Sequence, residues 1–362
     1  MKENVFYNRL VEMMEMDAVL IQPSFELEFL TGFTPLLCER FQGLFVRKDG
    51  SCFYLCEDLY VDELEHAYQG SIPIYHYHDN EGMPKVYEIL KEQDLWNKTI
   101  GVNSSAQAFN CEDIAENCGI RFVNAKGLLE EIRIKKTHEE LEALRESAKI
   151  ADAAFEVACQ TIRPGIRELD VSEAMRQCME ELGGYDCDLI VASGPNSSYP
   201  HYMDKGRVIE EGDCIILDWG CHYKGMMSDT SRTVFVGSVT QEQKEMYELV
   251  NKAQLTSQSL VKEGAYIPEI DEASRKVLGE YASTLANRVG HGIGYSVHEG
   301  PYINQLNHRH LERGMAFSIE PGVYFAGKYG IRIENICIVN EEGDGEVLNQ
   351  SDRSLRVIDW YK

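Results

Sequence analysis

"VIEEGDCIILDWG" (208–220) and "HLERGMAFSIEPG" (310–322) align without a gap at an offset of 102 residues. Gly212 falls on Gly314, Asp218 on Glu320 and Gly220 on Gly322. Each stretch opens on a turn, runs through an apolar strand and ends on an acid followed by a glycine-containing turn. Upstream, "RPGIRELDVSEA" (163–174) matches "KEGAYIPEIDEA" (262–273). Self-similarity over this length marks a duplicated supersecondary unit, each copy reading as helices followed by a hairpin. Two such units folded back on each other predict a pseudo-twofold α+β domain with a site between its halves.

The repeat carries the chemistry. The first unit supplies Asp218 and Asp229, in "ILDWGCHYKGMMSDTSRTVF"; the second supplies Glu320 and Glu334, in "SIEPGVYFAGKYGIRIENICIV". Asp218 and Glu320 each end an apolar strand. Asp229 and Glu334 each begin the return strand, since "RTVFVG" and "NICIVN" follow them. Four carboxylates aimed at one point are too costly to bury without cations. "VGHGIGYSVHEGP" (289–301) adds His291 as a nitrogen ligand. Four carboxylates and one imidazole suit Mn²⁺ best, with Co²⁺, Fe²⁺ or Zn²⁺ as alternatives. Five protein ligands, several able to bridge, suit two divalent ions about 3.5–4 Å apart.

Outward from the repeat, Thr137 followed by Glu140 has the spacing of a capping box. Leu141, Leu144, Ala148, Ala151, Phe155 and Ala158 then recur at helical period. A long amphipathic helix therefore opens the second domain near residue 134, and Arg163-Pro164-Gly165 closes it. Before it, "AVLI", "GLFVRK", "CFYLC", "PIYHY", "KTIGV" and "IRFVN" read as strands and "VYEILKEQ" as a helix between them, which predicts a smaller α/β domain. The expected domains are residues 1–133 and 134–362.

The chain has 362 residues and a net charge of −25. That charge repels nucleic acid and anionic membrane surfaces. No run approaches the apolar length of a membrane-spanning helix, and "MKENVFYNRLVEMMEMDAVLI" lacks the order of a signal peptide. The 11 cysteines contain no CxxC pair, so they read as free thiols in a reducing cytoplasm.

The sequence resembles the pita-bread metallopeptidases: Xaa-Pro aminopeptidases, prolidases, methionine aminopeptidases and creatinases. The resemblance rests on Asp218 in "LDWG", Asp229 in "SDTSRT", His291 in "GHGIG", Glu320 in "IEPG" and Glu334 in "RIEN". "EFLTGF" (28–33), with Glu39-Arg40 behind it, is similar to the creatinase-type N-terminal domain that accompanies the proline-directed peptidases. The resemblance implies a pita-bread catalytic domain and a homodimer. It also implies a proline-containing peptide substrate and hydrolysis of the N-terminal Xaa-Pro bond by metal-activated water. Asp229 and Glu334 would bridge the two metals, Asp218 would complete one, and His291 and Glu320 the other. Glu320 would also take the water's proton.

His298 is read as a hydrogen-bond donor to the developing oxyanion or the substrate amide rather than as a ligand. His201, in "SGPNSSYPHY", matches a family histidine that faces the substrate. Arg332 lies two before Glu334, so on a strand the two share a face and Arg332 can support the ligand acids. Two other readings compete: a creatinase-like amidinohydrolase on a small non-peptide substrate, and a non-catalytic peptide-binding module. Both depart from the five-ligand set, which this chain keeps. Some prolidases carry an arginine directly after the "HExP" proline; here the run is "HEGPY" and Tyr302 takes that place. With Tyr302 there, tripeptides and longer Xaa-Pro peptides are expected to be cleaved at least as well as dipeptides, unless Arg309 supplies the carboxylate clamp.

Overall fold

Ala18–Ile21 is buried at all four positions, as a strand covered on both faces must be. It lies at the centre of a six-stranded sheet ordered Ile74–Tyr77, Cys52–Glu57, Gly43–Arg47, Ala18–Ile21, Thr99–Val102, Arg121–Asn124. The computed structural model describes residues 4–285 and 288–361. The chain divides into two units, residues 1–133 and 134–362. In the first, parallel pairs form both flanks of the sheet and antiparallel pairs its middle. All six strands and the helix Gly82–Glu92 fall where the apolar runs put them. The helices Val5–Met13, Phe25–Thr31 and Ala108–Cys118 went unread, being short and weakly periodic. Phe25–Thr31 holds most of "EFLTGF": the Ser24 hydroxyl caps its start, and Gly32 at φ +81° ends it.

The second unit opens on the helix His138–Thr161, and the expected capping box is present. Glu140 N–H donates to Thr137 Oγ1 and Thr137 N–H donates to the Glu140 carboxylate. Leu141, Leu144, Ala148, Ala151, Phe155 and Ala158 are all buried. Phe155 stacks on Trp219 with ring centroids 5.9 Å apart, and Trp219 Nε1 donates to the Ala151 carbonyl at 2.7 Å. The helix is thereby fixed across the strand that bears Asp218.

The duplication is visible in the elements. The first half has helices His138–Thr161 and Glu168–Glu181 and a sheet ordered Arg356–Ile358, Thr230–Val236, Cys214–Tyr223, Tyr185–Ser193. The second has helices Gln241–Gln258 and Ile267–Leu278 and a sheet ordered Glu299–Ile303, Gly290–Gly292, Ala316–Ile319, Asn335–Val339, Gly345–Val347. A hairpin of Gly322–Phe325 and Tyr329–Arg332 separates the second half's two acids. Each half has its own apolar core, one around Phe155, Leu217 and Val234, the other around Val250, Ile270 and Phe317.

Candidate metal centre

The acids sit where antiparallel strands start and stop. Cys214–Tyr223 pairs with Thr230–Val236, Asp218 lies opposite Ser231, and Asp229 immediately precedes the return strand. A Cβ on Gly220 would come 1.8 Å from the Ser228 carbonyl oxygen, so only glycine lets these segments close. In the second half Ile319 lies opposite Asn335, which makes Glu320 and Glu334 the next pair out. His291 stands on a three-residue strand between two neighbours. A Cβ on Gly290 or Gly292 would meet backbone oxygens at 1.9 and 2.0 Å, which is why the histidine is flanked by glycines.

These five residues converge. One ligand atom each from Asp229, His291 and Glu334 lie within 4.8 Å of one another. His291 Nε2 is 3.2 Å from Glu320 Oε1 and 3.6 Å from Asp229 Oδ2. Burial holds the Asp229 carboxyl well above its ordinary range, and repulsion from Glu334, Asp218 and Glu320 adds to it. Glu334 is raised in the same way, by burial and then by Glu320 and Asp218. Burial pushes Glu320 up to about 7, against the pull of Arg332. Burial keeps His291 well below its usual range, so its ring is neutral.

Whether these residues fit cations can be tested on the molecule. His291 Nδ1 faces the Gly292 carbonyl at 3.1 Å, which assigns that nitrogen the proton and leaves the Nε2 lone pair toward the carboxylates. Acceptor then faces acceptor at 3.2 Å. Glu334 Oε1 is buried with no hydrogen-bond partner. Both observations describe a cavity built for positive charge, and the donor set suits divalent ions.

Arg332 supplies the protein's own positive charge behind the acids. It is buried, forms an ion pair with Asp218, and donates from Nε to Ser231 Oγ at 2.9 Å. Ser231 Oγ in turn donates to Glu334 Oε2 at 2.6 Å. Nη1 donates to the Tyr324 hydroxyl and the Pro200 carbonyl. Arg332 therefore reaches Asp218 directly and Glu334 through Ser231. The rest of "SDTSRT" joins the halves: Thr230 Oγ1 and Arg232 Nη1 both donate to the Glu334 carbonyl, and Thr233 Oγ1 donates to that of Arg332. Sequence reasoning missed Ser231, Arg232 and Tyr324. For Ser231 a signal existed, since alternation puts it on the same side of its strand as Asp229.

In front of the acids lies a pocket of about 200 Å³ lined by Asp218, Asp229, His291, Glu320 and Arg332, with His298 and His201 on its outer side. His298 packs edge-on to His291 at 4.4 Å between centroids, and His201 stands 6.0 Å beyond it. Glu299, the next residue, points the other way into a fully buried ion pair with Lys136 at 2.5 Å. Gly220 also lines it, as do Asp188, Ile190, Met203 and Val297, which were not singled out in the sequence. Arg309 is not among the lining residues and faces Glu312 at 4.0 Å.

A carboxylate–imidazole cavity inside a duplicated α+β unit places the chain among the metallohydrolases. Residues 142–341 match the family described as Metallopeptidase family M24, and residues 8–135 match the Creatinase/Prolidase N-terminal domain. The Xaa-Pro dipeptidase of Pyrococcus furiosus is 31% identical over 366 residues, covering 98% of this chain and 100% of that one. Among solved structures, a recombinant prolidase from Thermococcus sibiricus superposes with a TM-score of 0.89 at 30% identity, over 98% of each chain. Dipeptidase PepE from Mycobacterium ulcerans gives 0.90 at 28% identity, again over 98% of each. The chain belongs to metallopeptidase family M24. Its fold is the pita-bread catalytic unit preceded by a creatinase-like N-terminal domain, as the sequence led us to expect, and the family implies divalent metal ions.

Proposed function

We propose that this chain is a metal-dependent Xaa-Pro peptidase, cleaving the bond before proline at the N-terminus of small peptides. One observation carries the reading: the carboxylates of Asp218, Asp229 and Glu320 and a neutral imidazole line a pocket whose outer side presents His298 and His201, and the buried Glu334 lies within 4.8 Å of Asp229 and His291. Asp218, Asp229, His291, Glu320 and Glu334 would hold two divalent ions, Mn²⁺ first by donor chemistry. When bound, such ions supply Lewis acidity, acidifying water and drawing charge from the scissile carbonyl.

The chain's own groups do the rest. Glu320 accepts a proton from the attacking water and returns it to the leaving nitrogen. His298 donates to the carbonyl oxygen as charge develops there, from a place fixed by the Lys136–Glu299 ion pair on its far side. His201 lines the substrate side. Arg332 touches no substrate in this scheme; it orients Asp218 directly and Glu334 through Ser231. Residues 134–362 form the catalytic domain of this reading and residues 1–133 its creatinase-like companion. The eleven free thiols fit a cytoplasmic site of action, and homodimerisation is proposed from the family resemblance. The amidinohydrolase and non-catalytic alternatives are disfavoured by the complete ligand set.

The test is hydrolysis of Ala-Pro, Ala-Pro-Ala and Met-Ala-Ser with added Mn²⁺ or Zn²⁺. Cleavage of the proline peptides with Met-Ala-Ser left intact supports the reading. Cleavage of Met-Ala-Ser alone would replace it with a methionine aminopeptidase.

A further inference from the structure

Two thiols oppose each other on the back of the sheet that bears Asp218. In the antiparallel pairing of Tyr185–Ser193 with Cys214–Tyr223, Asp188 lies across from Gly220, and both line the pocket. Beyond them the register shifts before Tyr185 meets His222, so Asp186 and Cys187 together face Cys221. Asp186, at φ +46°, is the extra residue of this bulge, and Cys187 takes the place across from Cys221. Side chains alternate along a strand, so the two cysteines turn away from the pocket together. Cys221 is fully buried in the core around Phe155 and Leu217, and the partly buried Cys187 packs against the same core. The thiols also interact: a hydrogen bond from Cys187 is the largest influence on the Cys221 thiol and holds it below its ordinary range, against burial.

Directly opposed side chains of an antiparallel pair have Cβ atoms about 4.5–5.5 Å apart, and a disulfide draws them to about 3.5–4.5 Å. Closing this pair therefore asks the two strands for a movement of about 1 Å. The bulge at Asp186 is where the outer strand can bend to supply it. The movement reaches the metal centre through the backbone. The Cys221 carbonyl accepts from Ser228 N–H at 3.0 Å, and Cys221 N–H donates to Ser228 Oγ at 3.2 Å. Ser228 adjoins the candidate ligand Asp229, and on the other strand Cys187 adjoins Asp188 of the pocket lining. One bond behind the sheet thus pulls on two residues in front of it.

We propose that Cys187 and Cys221 form a reversible cross-strand disulfide that lowers the activity of the metal centre, with a small-molecule disulfide as the oxidant. The effect on activity rests on the Xaa-Pro peptidase reading; the bond itself does not. Cys187 is partly exposed and Cys221 is not, so the oxidant meets Cys187 first. Because the two sulfurs share a hydrogen bond, a proton passed to Cys221 leaves Cys187 as the thiolate. That thiolate attacks one sulfur of the oxidant, breaks its S–S bond and releases one small thiolate, leaving a mixed disulfide. Cys221 then attacks Cys187 Sγ and releases the second. The two cysteine protons pass to the two released thiolates. The pair loses two electrons and the small disulfide gains them. A small thiol in excess runs the same steps backwards, so the reduced pair is the resting form in a reducing compartment.

The experiment incubates the reduced, Mn²⁺-loaded full chain with oxidised glutathione and blocks the remaining thiols with iodoacetamide. Disulfides are then mapped by peptide mass spectrometry beside initial rates on Ala-Pro. A linked Cys187–Cys221 peptide should accumulate while the rate falls by about tenfold or more, since displacements near 1 Å are costly at a reacting centre. Dithiothreitol should reverse both changes. Cys187→Ser should match the reduced wild-type rate and lose the sensitivity to oxidised glutathione. Oxidation of other cysteines without the Cys187–Cys221 link, a link that leaves the rate unchanged, or an equal loss of rate in Cys187→Ser would overturn the switch. A reduced wild type inactive on Ala-Pro and Ala-Pro-Ala would sink the peptidase reading alone. The switch is then read from metal binding: Mn²⁺ should raise the melting temperature of the linked form less than that of the reduced form, and equal rises would overturn it.

Discussion

Replacing Asp229 by asparagine should stabilise the metal-free protein while abolishing its metal binding. Asp229 is buried, its carboxyl oxygens accept no hydrogen bond among the described residues, and the nearest Glu334 oxygen is within 4.8 Å. Two ionised carboxylates at that separation repel by about 3–4 kcal/mol at an effective dielectric constant near 20. The alternative, holding a proton at pH 7 on a group that would release it near 4 when unfolded, costs about 4 kcal/mol. The folded protein takes the cheaper route, so the penalty removed by a neutral amide of equal size is about 1–4 kcal/mol. For a unit of this size that raises the melting temperature by roughly 2–15 °C.

The sign with pH follows. A carboxyl whose folded pKa lies above its unfolded value subtracts stability as pH climbs past the unfolded value, until pH passes the folded one. The advantage of Asp229→Asn should therefore be largest at pH 8 and shrink towards pH 4. The assay is calorimetric melting of both proteins in EDTA across that range, repeated with excess Mn²⁺. Added metal should raise the wild type and leave the variant unmoved, which reverses their order. A variant that melts below wild type in EDTA at pH 8, or that binds two metals per chain by elemental analysis, would refute the reasoning.

Three further outcomes follow from the same geometry. His298→Ala should lower kcat by about 10²–10⁴ with metal content intact, whereas His291→Ala should lose metal; elemental analysis beside initial rates separates the two, and the opposite pattern would exchange their roles. Arg332→Met breaks a buried ion pair and the links to Ser231, Tyr324 and Pro200, and should cost about 3–5 kcal/mol in urea unfolding; Arg332→Lys should recover little, because an ammonium cannot span Asp218, Ser231 and Tyr324 together. Glu299→Gln leaves Lys136 buried and unpaired and should cost a similar amount, while Lys136→Met combined with Glu299→Leu should restore most of it; a double variant no more stable than the single would count against the ion pair as the cause.

The sequence by itself determined the duplicated architecture and singled out the candidate ligand set, and the reason is local. Asp218, Asp229, Glu320 and Glu334 occupy the ends of apolar strands, His291 lies between two glycines, and Thr137 and Glu140 cap the helix that supports Trp219. Each of these features is spelled within a few consecutive residues, and the repeat spells the strand ends twice. What only the tertiary structure decided is which distant groups share a charge. Arg332 was legible as a neighbour of Glu334, but its pairing with Asp218 and its relay through Ser231 join segments about a hundred residues apart. Asp188 reaches the pocket only because its strand lies beside Cys214–Tyr223. Tyr302 was legible only as standing where some prolidases carry an arginine. Strand pairing brings Arg288 against its ring, and no periodicity along the chain encodes a contact that exists only once the sheet has closed.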